Sequence, residues 1–174
     1  MSTNSGSSAS TSANNTPGSG TTTRQLCTFY LGDLLFGVDV IGVQEVLRYQ
    51  EMTPVPLTPS VVRGLINLRG QIVTAIDVRA RFELPPRASD ELPMNVVVRI
   101  GGNEGGVVSL LVDEIGDVLE VDGRTFERAP ETMSSTFREL VPGVFKLSGQ
   151  LLLLLDAQRV ASLGGAASGK AEGS

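Results

Sequence analysis

Histidine is absent from all 174 residues. With it go the Ser-His and Cys-His nucleophile pairs, the usual zinc and iron ligand sets, and histidine phosphotransfer. Cys27 is the single cysteine, set in an apolar strand-like run (QLCTFYL), so an internal disulfide is impossible and the thiol reads as packed core. Asp113, Glu114, Asp117 and Glu120 place four carboxylates within eight residues, a density that could serve a hard cation. They lack EF-hand spacing, and they interrupt a strand-like pattern (SLLV, then DVLEV) where they would face solvent. Gly101, Gly102, Gly105 and Gly106 (GGNEGG) imitate a phosphate cradle, but no Lys-Ser/Thr follows and no helix opens after them. The segment reads as a hairpin turn between MNVVVRI and VVSLLV. One enzymatic alternative is left, a metal-dependent hydrolase built on carboxylates, and it has only Lys146 and Lys170 to draw on as lysines.

The elements around these residues carry more information than the residues themselves. Residues 64–84 (GLINLRGQIVTAIDVRARFEL) recur without a gap 79 positions later as residues 143–163 (GVFKLSGQLLLLLDAQRVASL). Gly64/Gly143, Leu68/Leu147, Gly70/Gly149, Gln71/Gln150, Asp77/Asp156 and Leu84/Leu163 are identical, with an apolar run between Gly-Gln and Asp in both copies. Each copy reads as a strand, a tight turn at Arg69-Gly70 or Ser148-Gly149, a second strand, and an aspartate that caps a short helix. Two copies are too few for a stacked array, so they predict two similar subdomains. Arg69 becomes Ser148 in the second copy, so one half keeps a charge that the shared scaffold does not require.

Residues 1–23 and 164–174 are polar and nearly devoid of apolar side chains, and they are expected to be disordered tails. Neither a secretory signal nor an apolar run of about 18 residues is found, which leads to the expectation of a soluble, cytoplasmic protein. A net charge of −5 without a basic cluster argues against nucleic acid and acidic headgroups. Strand-like runs occupy 25–31, 34–38, 52–56, 64–69, 71–76, 94–100, 106–112, 117–121, 142–147 and 150–155. Helices are predicted over 40–48, with Asp39 as N-cap, and as short turns after Asp77, Ser134 and Asp156. The fold class is therefore all-β with a few short helices, built as two small barrels that leave no open sheet edge. An aromatic groove for proline-rich peptides is hard to build from no Trp, two Tyr and six Phe.

Four segments carry a family resemblance: FGVDVIGVQEVL (36–47), RGLINLRGQIVTAIDVRARFEL (63–84), LLVDEIGDVLEV (110–121) and APE (129–131). Their order resembles that of the CheW family of bacterial chemotaxis coupling proteins, over residues 24–163. The resemblance implies two SH3-like five-stranded β-barrels. The first is expected at about 35–88 and the second at about 89–163, with strand 24–33 packed on the second and the divide in the Pro-rich stretch LPPRASDELP. It implies an adaptor with no catalytic residue, no cofactor and no metal. Its partners would be the regulatory domain of the histidine kinase CheA, the helical tips of chemoreceptors in a groove between the barrels, and further CheW copies in rings. A non-flagellar pathway of pilus or gliding motility is equally compatible.

Residue by residue, the resemblance carries partner binding onto Glu45 (of V-Q-E) and Arg69 (of N-L-R-G), and onto Val40, Val43, Gly64 and Asn67. For Asn67 and Gly64 the residues themselves also allow a structural role, turn chemistry and close strand approach. Ile72-Val73-Thr74 replaces the family's usual I-V-P, so the local strand geometry is open to change.

Overall fold

The computed structural model describes residues 23–102 and 105–162. Apart from Thr23, the expected tails lie outside the described residues, as does the centre of GGNEGG. Eleven strands dominate: β1 Thr23–Leu31, β2 Leu34–Asp39, β3 Val43–Leu47, β4 Val62–Leu68, β5 Gln71–Asp77, β6 Met94–Arg99, β7 Val107–Val112, β8 Glu114–Asp122, β9 Glu127–Arg128, β10 Gly143–Leu147 and β11 Gln150–Leu154. The helices are single turns, α1 Val78–Arg81, α2 Ser135–Leu140 and α3 Ala157–Ala161, capped by Asp77, Ser134 and Asp156 as expected.

Two expected elements differ. The helix over 40–48 is a 3-10 turn at Val40–Gly42 that hands over directly to strand β3, although Asp39 does cap it, accepting from the Ile41 N–H. Val40, Ile41, Val43 and Val46 are β-branched and Gly42 is flexible, and this composition favours the pleated chain over a second helical turn. The run 52–56 contributes only an isolated bridge, Thr53 to Leu65. Pro54 and Pro56 lack the N–H groups that a ladder needs.

The strands form two sheets. One has six strands in the order β8-β1-β2-β11-β10-β9, the other five in the order β3-β6-β7-β5-β4. In each, the two edges are neighbours in sequence, and that forces curvature. Six flat strands would hold their edges about 24 Å apart, whereas the four residues between β8 and β9 let the two strand ends lie at most about 18 Å apart. The five-stranded sheet curls likewise, because Thr53, six residues past the end of β3, pairs with the far edge of β4 through hydrogen bonds of 2.9 and 2.8 Å. Such curling accords with small barrels, but one sheet has six strands instead of the expected five, the two-residue β9 being added at its edge beside β10.

The sheets do not divide the chain near residue 90. Strands β6 and β7 return beside β5, with β7 parallel to it, so the Pro-rich stretch is a crossover within one sheet. A parallel neighbour requires such a crossover. In the other sheet the parallel partner of β11 is β2, so the whole N-terminal hairpin β1-β2 pairs with the C-terminal strands. The chain crosses between the sheets only at 40–42 and at Asp113.

Packing follows this exchange. Each sheet has a small core of its own, Leu26, Leu35, Val121, Phe145, Leu152 and Leu154 in one and Ile66, Leu68, Val73, Ala75, Val97 and Leu111 in the other. The largest cluster lies between them and draws on both, with Phe29, Phe36 and Leu153 meeting Ile76, Phe82, Val96 and Leu110. Phe36 is fully buried there, with ring centroids 5.5 Å from Phe29 and 5.1 Å from Phe82. Burial of such rings is worth a few kcal/mol each.

Polar groups tie the same seam. Asp113, at the second crossing, accepts from Gly32 N (2.7 Å), from Arg79 Nη2 (2.7 Å) and Nε, and from Arg87 Nε (3.1 Å). Buried Asp77 accepts from Arg63 Nη1 at 2.8 Å and lies 3.7 Å from Arg87. Burial pushes the Asp113 carboxyl up, but Arg79, the Gly32 N–H and Arg87 together hold it below the ordinary carboxylate value. A depressed pKa contributes stability that is complete above the unfolded value and is lost as pH falls through the folded one.

Two outcomes are expected. Phe36→Ala should cost about 3–5 kcal/mol and leave one cooperative transition in urea monitored by near-UV and far-UV signals together; two separated transitions would mean independent barrels. Asp113→Asn should lower stability at neutral pH, and the gap to wild type should narrow as pH falls below the usual aspartate range, read from urea midpoints across pH.

Candidate partner-binding site

Glu45 and Arg69 come from opposite edges of the five-stranded sheet. Glu45 lies on edge strand β3, opposite Val97, beside a bulge that gives Gln44 no partner on β6. Arg69 sits at the tip of the β4-β5 hairpin. Curling of the sheet brings the two together, and the Arg69 guanidinium donates to the Glu45 carboxylate. The hydrogen bond to Arg69 holds the Glu45 carboxyl below its ordinary value and raises Arg69 in turn. The pair is therefore ionised across the neutral range and is lost only in acid. Arg69 remains 70% exposed, so its outer face is open to a partner.

The backbone at Arg69 is unusual. Arg69 has φ of 50° and Gly70 of 89°, a pair of left-handed residues for which Asn-Gly or Gly-Gly is the low-energy choice. In the second copy of the hairpin only Gly149 has positive φ. Folding alone gives no reason for an arginine at such a position; presentation of the guanidinium does.

The remaining expected site residues have structural employment. Asn67 Oδ1 accepts from Gly70 N at 2.9 Å and so builds the turn that presents Arg69. Gly64 is buried where a Cβ would come within 2.6 Å of the Thr53 carbonyl oxygen, so it admits the strand-closing bridge. Val40 and Val43 are partly buried against the shared core. Neither lines the cleft of about 330 Å³ between the sheets, which their neighbours Asp39 and Gly42 do, with Val38, Val98, Leu154 and Ala157 as apolar lining and Arg24 and Arg99 among its charged groups. Thr74, at the position of the family's proline, pairs with both Leu65 and Val108 inside the sheet.

The acidic run 113–120 is not uniformly solvent-facing as expected. Asp113 points inward to Arg79 and Arg87, partners 34 and 26 residues away, a separation at which no local pattern reveals pairing. All six phenylalanines make aromatic contacts with one another within the packed clusters.

Residues 25–164 match the CheW-like domain. The chain belongs to the CheW-like family. It is 33% identical over 134 residues to the chemotaxis protein CheW of Klebsiella aerogenes, covering 77% of this chain and 79% of that one. The chemotaxis protein CheW of Treponema pallidum is 30% identical over 142 residues, covering 79% and 82%. Among solved structures, the scaffolding protein TtCheW of Thermoanaerobacter tengcongensis superposes with a TM-score of 0.73 at 26% identity, over 83% of this chain and 96% of that one. This CheW-like chain is thus a non-catalytic scaffold of chemotaxis signalling.

The two properties of Arg69 separate experimentally. Arg69→Asn, which suits the left-handed turn, should melt at or above the wild-type temperature, whereas Arg69→Ala keeps the backbone cost, loses the pair, and should melt slightly lower. A large drop for both in a thermal melt would make Arg69 a structural residue.

Proposed function

We propose that this CheW-like chain couples the cytoplasmic helical tips of chemoreceptors to the regulatory domain of a CheA-type histidine kinase, and that it works in the cytoplasm at membrane-associated receptor arrays. The observation that carries the reading is Arg69, exposed, placed at a costly turn on one of two duplicated hairpins only, and paired with Glu45 of the opposite sheet edge. A charge kept against the preference of the backbone points to selection by a partner, and arginine is a frequent hot spot in protein interfaces. Glu45 orients the guanidinium while its outer face stays free. The inter-sheet cleft, apolar with charged groups around it, has the character of a groove for an amphipathic helix, as a receptor tip presents.

Titration calorimetry against the kinase regulatory domain from the same organism tests the assignment. Wild type should bind with micromolar or tighter affinity, and Arg69→Asn and Glu45→Gln should each weaken binding by about tenfold or more without loss of folded protein. Unchanged affinity in both variants would move the kinase contact elsewhere on the surface, and absence of wild-type binding would direct the search to another pathway's kinase.

A further inference from the structure

The pairing registers relate the two sheets more deeply than the hairpin repeat does. Val46 lies opposite Val96 on β6, and Val118 lies opposite Cys27 on β1, the equivalent strand of the other sheet. The correspondence runs on through β7 and β2 to the parallel partners β5 and β11. It superimposes Val43-Gln44-Glu45-Val46-Leu47 on Ile115-Gly116-Asp117-Val118-Leu119: apolar, any, acid, valine, leucine in both. A bulge sits at the same point of each edge strand. Asp117 is the counterpart of Glu45, and the counterpart of Arg69 is Ser148.

Asp117 is held in place by built structure. Thr28, buried, donates its hydroxyl to the Asp117 carbonyl oxygen at 2.5 Å. Gly116 permits this, since a Cβ there would lie 2.5 Å from Thr28 Oγ1. Bulges of this kind re-aim a side chain. The carboxylate so aimed is exposed, next to Val118 at 55% exposure, and among the described residues no ion pair engages it. In the first barrel the acid has its guanidinium from the same chain; in the second the acid and its supporting bulge are kept while the guanidinium is missing.

We infer that Asp117 forms a second docking point that takes an arginine from the partner, supplied in trans where Arg69 is supplied in cis. Charge complementarity and the intramolecular precedent at Glu45 specify the ligand as a guanidinium. The inference rests on the coupling reading and assigns that arginine to the kinase regulatory domain, a partner the second barrel would meet through this edge.

The test uses the full chain and the same kinase domain in calorimetry at two salt concentrations. Asp117→Asn should weaken binding about tenfold and flatten its salt dependence, with an unchanged melting temperature. Ser148→Arg restores the missing guanidinium in cis and should weaken binding to a similar degree, and the double variant should bind no worse than Asp117→Asn alone. Wild-type binding that survives Asp117→Asn overturns the inference and leaves the coupling reading intact. So does a double variant that binds worse than Asp117→Asn alone, which would report crowding by the substitution at Ser148 rather than charge. Absence of wild-type binding overturns both together.

Discussion

The apolar seam between the two sheets is the constraint on which the rest of this molecule depends. Each curled sheet encloses a core of only a few side chains, and small closed sheets bury too little surface to be stable alone. The larger cluster between them, with Phe29 stacked on Phe36 and Phe82 tilted against it at its centre, supplies what each lacks. Exchange of the N-terminal hairpin into the C-terminal sheet strengthens the seam, because the six-stranded sheet is built from segments on both sides of the stretch that forms the other. Asp113 and its arginines add direction, fixing how one sheet sits on the other at a point where the chain crosses.

The duplicated halves of this scaffold disagree at the residues proposed to meet partners. The common parts, hairpin, capping aspartate and bulged edge strand, serve folding in both. Arg69, at a turn position that disfavours it, marks the barrel where an ion pair is completed internally. Ser148 and Asp117 mark the barrel where it is left open. A duplicated fold thus contains its own control, since each residue can be compared with a counterpart in the same packing environment.

Much of this was legible in the sequence because the hairpin repeat is gapless and its period-2 patterning is strong. The capping aspartates Asp77 and Asp156 could be placed from residue type and position alone. The helix over 40–48 was misread because an apolar stripe at helical spacing and an alternating bulged strand look alike over nine residues, and the N-cap at Asp39 was real in either case. The divide near residue 90 failed because proline-rich composition signals a connection without saying whether it leads to a new domain or back into the same sheet. The match between VQEVL and IGDVL escaped because its spacing is 72 rather than 79 residues: the stretch from Leu119 to Gly143, which includes α2, is seven residues longer than the equivalent one from Leu47 to Gly64. Asp113 needed partners that are distant in the chain.

The exchanged hairpin also imposes an order on synthesis. The five-stranded sheet is made from one continuous stretch, so all its strands are available once β7 has left the ribosome. The six-stranded sheet differs, because β1 and β2 are translated well before their neighbours β8 and β11. Until those strands follow, the hairpin must keep two apolar faces without their final cover, a state that favours aggregation and chaperone capture. The hairpin emerges long before the sheet it belongs to can be finished, so its fate during synthesis is governed by strands far downstream of it.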